Sequence, residues 1–127
     1  EKIGEVRSRL TIPVIANGEI WRWKDGQACL KATGCEDLMV GRGALNIPNL
    51  SLVLKQNCEK MPWADIQKIL QKYAEMENFH DSGFYHVARI KQWLRYLNKE
   101  YPEADIVFER IKPSKTAEDL RERLCQG

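Results

Sequence analysis

Two short apolar runs, each stopping at a glycine turn and each followed by a helical pattern, restrict the folds open to this chain more than any other feature. Ile12-Pro13-Val14-Ile15-Ala16 is continuously apolar and stops at Asn17-Gly18, and Leu38-Met39-Val40 is apolar and stops at Gly41-Arg42-Gly43. A run without polar alternation is how a strand buried on both faces of a parallel sheet reads. After the first run, Lys24 to Thr33 carries Ala28, Cys29, Leu30 and Ala32, and Gly34 supplies the helix stop. After the second, Asn46 to Gln56 reads as a helix carrying Leu50, Leu52, Val53 and Leu54, with Pro48 in its first turn, where a missing N–H costs nothing. Two consecutive βα units imply a parallel sheet, and two parallel strands alone leave faces and edges uncovered. Residues 1–60 therefore read as part of a larger α/β domain.

Ahead of the first run, Ile3, Val6 and Leu10 recur at helical spacing among charged residues, so residues 1–10 read as the end of a helix. A chain that starts inside a pattern, on Glu1 rather than methionine, is expected to be a fragment of a longer product. From Pro62 onward the strand signal disappears. Helical patterns follow over 63–79, 84–100, 103–112 and 116–124, separated by Asp81-Ser82-Gly83, Tyr101-Pro102 and Pro113-Ser114. The first predicts a buried stripe of Ile66, Ile69, Leu70, Tyr73 and Met76, and the second one of Val87, Ile90, Leu94 and Leu97. The shorter two contribute Ile106, Val107, Ile111, Leu120 and Leu124. Short connections favour a small antiparallel bundle over residues 61–127, with the boundary near Asn57 to Met61.

At 127 residues, 43% hydrophobic and 30% charged, the chain has the composition of a globular protein, and it can hold two domains only if each is small or incomplete. A net charge of +2 is too mild to indicate a nucleic-acid partner by itself. No apolar run reaches the roughly 20 residues a membrane span needs, and no signal peptide is visible, so a soluble, cytoplasmic protein is expected. Cys29, Cys35, Cys58 and Cys125 form no CxxC pair and lie near no histidine at finger spacing, which argues for reduced structural thiols and against zinc. His80 and His86 read as packing residues. No Ser/His/Asp arrangement or metal motif is discernible.

Chemistry is suggested in two places. Glycine just beyond a parallel strand lets a ligand approach the backbone, and successive N–H groups at such turns make a concave anion site. Asn17-Gly18-Glu19 and Gly41-Arg42-Gly43 occupy corresponding strand ends, and Arg42 adds a charge. In barrels of alternating strands and helices, the loops after the last two strands commonly hold phosphate groups. The pattern says phosphate and leaves nucleotide, sugar phosphate and flavin open; tight βα turns with no ligand are the plainer reading. The second place is the helix from Phe84 to Glu100, where Lys91, Arg95 and Lys99 recur every four residues with Arg89 farther round. Trp93, Tyr85 and Tyr96 border these cations, and Lys112 and Lys115 extend the surface. Cations beside aromatics suit phosphate contact and base stacking on looped RNA, against the plainer account of a solvated face with Trp93 in the core.

The residues also resemble a known family. The string from Ile12 to Ile20, Gly34-Cys35, and then Met39 to Leu50 is similar to the closing barrel segment of tRNA-dihydrouridine synthases, and Tyr85-His86-Val87-Ala88-Arg89-Ile90-Lys91-Gln92-Trp93-Leu94 to the helical-domain signature of their C-type bacterial subfamily. The resemblance implies an α/β plus all-α architecture: the last two βα units of a TIM-type flavin barrel over residues 1–60, then a small C-terminal helical bundle that binds tRNA over 61–127. It places the FMN phosphate on Asn17, Gly18, Glu19, Gly41 and Arg42, and tRNA on Arg89, Lys91 and Trp93, with Arg95 and Lys112 contributing less. It implies an oxidoreductase in which NADPH reduces FMN, the flavin delivers hydride to a tRNA uridine at position 16 of the D-loop, and a cysteine acts as general acid. It also implies a monomer and a target base that leaves its stack. That cysteine and the residues holding the flavin ring are expected upstream, so this chain alone is expected to be inactive. Another flavin or sugar-phosphate barrel, or a freestanding RNA-binding module, is the alternative.

Overall fold

The computed structural model describes residues 1–76 and 84–126. The chain divides into two compact units, Glu1–Lys60 and Met61–Gly127. The turn expected at Asp81-Ser82-Gly83, His80, and the last residues of the helical pattern over 63–79 lie outside the described residues.

In the first unit, helix α1 (Lys2–Arg9) is followed by strand β1 (Ile15–Ala16), helix α2 (Trp23–Thr33) and strand β2 (Asp37–Leu38). The strands pair in parallel, Ile15 opposite Asp37 and Ala16 opposite Leu38. Just beyond, the Met39 N–H donates to the Ala16 carbonyl at 2.8 Å. Both strands are shorter than the apolar runs that predict them, because a ladder needs a neighbour and the sheet described has two strands only. Ala16 is fully buried, yet Ile12, Ile15 and Met39 are 66%, 61% and 60% exposed.

Helix α2 begins where Asp25 folds back, its carboxylate accepting from the backbone N–H groups of Trp21 (3.0 Å) and Arg22 (2.9 Å). An acidic group there meets the unpaired donors and the positive end of the helix dipole. The helix stops as predicted at Gly34, which adopts a left-handed φ of 70° and donates its N–H to the Leu30 carbonyl. Gly26 lies where α2 approaches the next long helix; a Cβ there would sit 2.6 Å from Leu54 Cδ2.

The single helix expected over Asn46–Gln56 is in fact two, α3 (Gly43–Asn46) and α4 (Leu50–Gln56). Pro48 lies in the link between them, not in a first turn. The ring of a proline disfavours helical geometry in the residue before it, and Ile47 is accordingly extended, with φ −127° and ψ 100°. Ile47, Leu50 and Val53 form the small core of this unit, with Trp23, Val40, Leu54 and Cys58 packed against it.

The second unit contains α5 (Trp63–Glu75), α6 (Phe84–Leu97), α7 (Glu103–Ile111) and α8 (Ala117–Cys125). Its core joins Ile66, Leu70 and Ala74 of α5 to Val87, Ile90, Leu94 and Leu97 of α6, Ala104, Val107 and Ile111 of α7, and Leu120 and Leu124 of α8. The α5 stripe is narrower than expected: Ile69 is 37% and Met76 60% exposed, and on α7 Ile106 is 65% exposed. Helix α6 stops at Leu97, and the N–H groups of Asn98, Glu100 and Tyr101 close a final turn onto Leu94 and Leu97 carbonyls. Tyr101 is buried in the core and donates its phenol proton to the Met61 carbonyl at 2.7 Å. Burial, with the charges of Glu100 and Glu103 adding, pushes that phenol up to about 12. Helix α8 is capped by Thr116, whose hydroxyl oxygen accepts from the Asp119 N–H at 3.2 Å.

Candidate functional site

In the first unit the turns after β1 and β2 converge. Asn17, Gly18, Glu19, Gly41 and Arg42, the five residues singled out at the strand ends, line one cavity of about 310 Å³ together with Ile20, Trp21 and Gly43. Register explains the convergence: parallel pairing of Ala16 with Leu38 carries the two chains off the same end of the sheet side by side. The glycines differ in role. A Cβ added to Gly18 or Gly41 would meet nothing within 4 Å, so their smallness is not required by packing and leaves backbone open toward the cavity. A Cβ on Gly43 would collide with the Ile20 carbonyl oxygen and approach Leu50 Cδ2 to 2.9 Å, so this glycine is required by packing.

The charged groups of this cavity are paired. Arg42 Nη2 donates to Glu19 Oε1 at 3.1 Å. The other carboxylate oxygen, Oε2, accepts from Trp21 Nε1 at 3.0 Å. The Arg42 guanidinium carbon lies 5.3 Å from the centroid of the Trp21 ring. Glu19 itself sits at φ +49°, in the left-handed region that non-glycine residues seldom occupy. Open glycine backbone beside a guanidinium fits a phosphate group. Among the described residues no group of His, Cys, Asp and Glu side chains is placed to hold a metal ion.

In the second unit a shallow groove of about 470 Å³ is lined by Tyr85, Ala88, Arg89, Lys91, Gln92 and Arg95 of α6 and by Phe108 of α7. The Arg89 guanidinium lies 4.9 Å from the Tyr85 ring centroid and donates to Gln92 Oε1 at 2.7 Å. The Arg95 guanidinium lies 5.4 Å from the Phe108 ring centroid. Among the described residues, no acidic side chain lines the groove. Guanidiniums held against aromatic faces suit phosphate contact beside a stacked base.

Not every residue expected at this surface is there. Trp93 packs against the helical core and is absent from the groove lining. Lys91 lines the groove, but its ammonium donates to the carbonyls of Lys112 (2.9 Å) and Ser114 (2.7 Å), where the chain leaves α7. Lys112 offers the groove no side chain and pairs with Glu109 at 3.5 Å. Lys99 lies 5.3 Å from the Tyr96 ring, on another part of the polar face. Phe108 and Trp21 were not predicted as site residues. Trp21 had a signal, standing two positions after Glu19, whereas Phe108 comes from a different helix and had none. His86 is buried and stacks on Tyr73 at 5.0 Å between centroids. All four cysteines are free thiols, none of them in either cavity lining.

Comparison with known proteins adds to this geometry. The family model described as dihydrouridine synthase (Dus) matches residues 1–125. A Haemophilus influenzae protein named tRNA-dihydrouridine(16) synthase is 77% identical over 124 residues, covering 98% of this chain and 40% of its own length. Proteins of the same name from Pasteurella multocida and Escherichia coli K12 are 63% and 53% identical, over 97% and 94% of this chain. The chain thus spans about 40% of the length of these curated relatives.

Proposed function

The chain belongs to the dihydrouridine synthase family, and from that premise we propose that it forms part of an FMN-dependent tRNA-dihydrouridine synthase that reduces uridine 16 of the D-loop at the expense of NADPH. The reading assigns residues 1–60 to the last two βα units of an FMN-binding (β/α)8 barrel and residues 61–127 to the helical domain that grips tRNA. The observation that carries it is the convergence of Asn17-Gly18-Glu19 and Gly41-Arg42 on one cavity whose glycines leave the backbone open. The flavin phosphate would sit over Gly18 and Gly41 with Arg42 supplying the countercharge, the role such turns play at the ends of the last barrel strands. When bound, the flavin supplies the hydride chemistry.

This chain's own residues then bind and orient. Gly18 and Gly41 admit the phosphate to backbone distance. Arg42 neutralises it. On the helical unit, Arg89 and Arg95 present cations that are already stacked on Tyr85 and Phe108, so less side-chain freedom is lost when a phosphate backbone arrives. The general acid of the family, a cysteine, is expected outside this chain, since none of the four cysteines here sits in the family's catalytic motif. The relatives carry the name tRNA-dihydrouridine(16) synthase, which supports position 16 as the target. We place the enzyme in the cytoplasm as a monomer; no helix among the described residues is long and apolar enough to cross a membrane.

The test uses the whole enzyme. Purified protein should retain FMN and, with NADPH, form dihydrouridine at position 16 of unmodified tRNA. The 127-residue chain alone should form none. A whole enzyme that reduces uridine without flavin, or that modifies another position exclusively, would overturn the reading.

A further inference from the structure

The Glu19 carboxylate is an odd neighbour for a phosphate. Two anions in contact repel, and both of its oxygens are already engaged, Oε1 by Arg42 and Oε2 by Trp21. A non-glycine residue held at φ +49° also calls for a reason. Here the left-handed turn at Glu19 brings its side chain between the indole N–H and the guanidinium. The three groups close a triangle: carboxylate to indole N–H at 3.0 Å, carboxylate to guanidinium at 3.1 Å, guanidinium carbon to indole centroid at 5.3 Å.

We propose that Trp21 is a positioning residue of the phosphate site, fixing the Arg42 guanidinium over the Gly18–Gly41 cradle, and that Glu19 acts through Arg42 and not on the phosphate itself. This rests on the phosphate reading given above. The side chains of Arg42 and Glu19 are 65% and 74% exposed, and an exposed ion pair alone holds a long side chain poorly. Trp21 supplies what the pair lacks. Its backbone N–H is anchored on the Asp25 carboxylate at the start of α2, so the indole is tied to a regular element. The ring face receives Arg42 while the ring N–H holds the carboxylate, so one side chain sets both members of the pair. With one guanidinium nitrogen committed to Glu19, the others remain available to an incoming phosphate.

The test compares FMN with riboflavin, which differ only in the phosphate, by titrating apoprotein of the whole enzyme and measuring each dissociation constant. Replacing Arg42→Ala should weaken FMN about tenfold or more and leave riboflavin unchanged. Trp21→Ala should weaken FMN about twofold to fivefold, the worth of an exposed cation–π contact, again without effect on riboflavin. In the Arg42→Ala background the Trp21→Ala loss should vanish. Trp21→Phe, which keeps a ring face but not the N–H, should give a smaller loss and guards against a misfolded alanine variant. Equal losses in both backgrounds, or an equal loss for riboflavin, would overturn the positioning role while leaving the phosphate reading intact. A wild-type enzyme that binds riboflavin as tightly as FMN would overturn both.

Discussion

Gly41 and Gly43 stand in one turn and look interchangeable, yet replacing each by alanine should have opposite consequences. At Gly41 an added methyl meets no atom within 4 Å, and among the described glycines only Gly34 has a positive φ. Gly41→Ala is therefore free of clash and of backbone strain, and should leave stability unchanged or raise it by about 0.4–1 kcal/mol through reduced freedom of the unfolded chain. At Gly43 the methyl would strike the Ile20 carbonyl oxygen and press on Leu50 Cδ2 at 2.9 Å. Ile20 and Leu50 are 5% and 0% exposed, so neither can swing into solvent. Gly43→Ala should cost about 1–3 kcal/mol, the range for overpacking a filled core. Ligand binding inverts the order of interest. The Gly41 methyl occupies the space where a phosphate would meet the backbone, and losing one charge-assisted hydrogen bond of about 1.5–3 kcal/mol weakens binding about tenfold to a hundredfold. Urea denaturation of both variants and FMN titration of the whole enzyme separate the two effects. Destabilisation of Gly41→Ala comparable to that of Gly43→Ala, or full FMN affinity in Gly41→Ala, would refute the argument that open space at Gly41 is kept for a ligand.

Other perturbations address the helical unit. Lys91→Met removes the donor from the Lys112 and Ser114 carbonyls and should destabilise the unit by about 1.5–3 kcal/mol in thermal or chemical denaturation; an unchanged midpoint would return Lys91 to the solvated face. Arg89→Glu with Arg95→Glu should weaken tRNA binding and shallow its salt dependence, read as the slope of log affinity against log salt, and an unaltered slope would remove these two from the interface. Burial pushes the Tyr101 phenol from its ordinary 10.0 up to about 12, so the fold favours the neutral form. The corresponding stabilisation is fully present below pH 10 and is lost as pH rises toward 12, on the order of 3 kcal/mol. Tyr101→Phe should flatten that part of the stability profile, and an equally steep decline in both proteins would assign it to other groups.

What the sequence makes legible is what is local along the chain. Gly34 marks a helix end because only the residue at that end needs a left-handed φ, and no tertiary partner alters that requirement. The residues of the two strand-end turns are adjacent in sequence, so their meeting in one cavity follows from parallel pairing alone. The triangle around Trp21 was not legible, because it depends on the φ of Glu19, a single backbone angle that composition does not reveal. On α6 the wheel separates Ile90 and Leu94 from the cations. It does not show that α7 brings Phe108 to Arg95, nor that the departing chain offers carbonyls to Lys91. A periodic pattern describes a helix face; what covers that face is decided elsewhere. Pro48 is a miss of another kind, since either a first turn or a break accommodates it, and the extended Ile47 decides for the break.

Ile12, Ile15 and Met39 lie exposed beside a two-stranded sheet whose ladder is only two residue pairs long. Bulky aliphatic side chains next to unpaired backbone are a template for strand addition, so the isolated 127-residue chain should self-associate through this edge, increasingly so as its concentration rises.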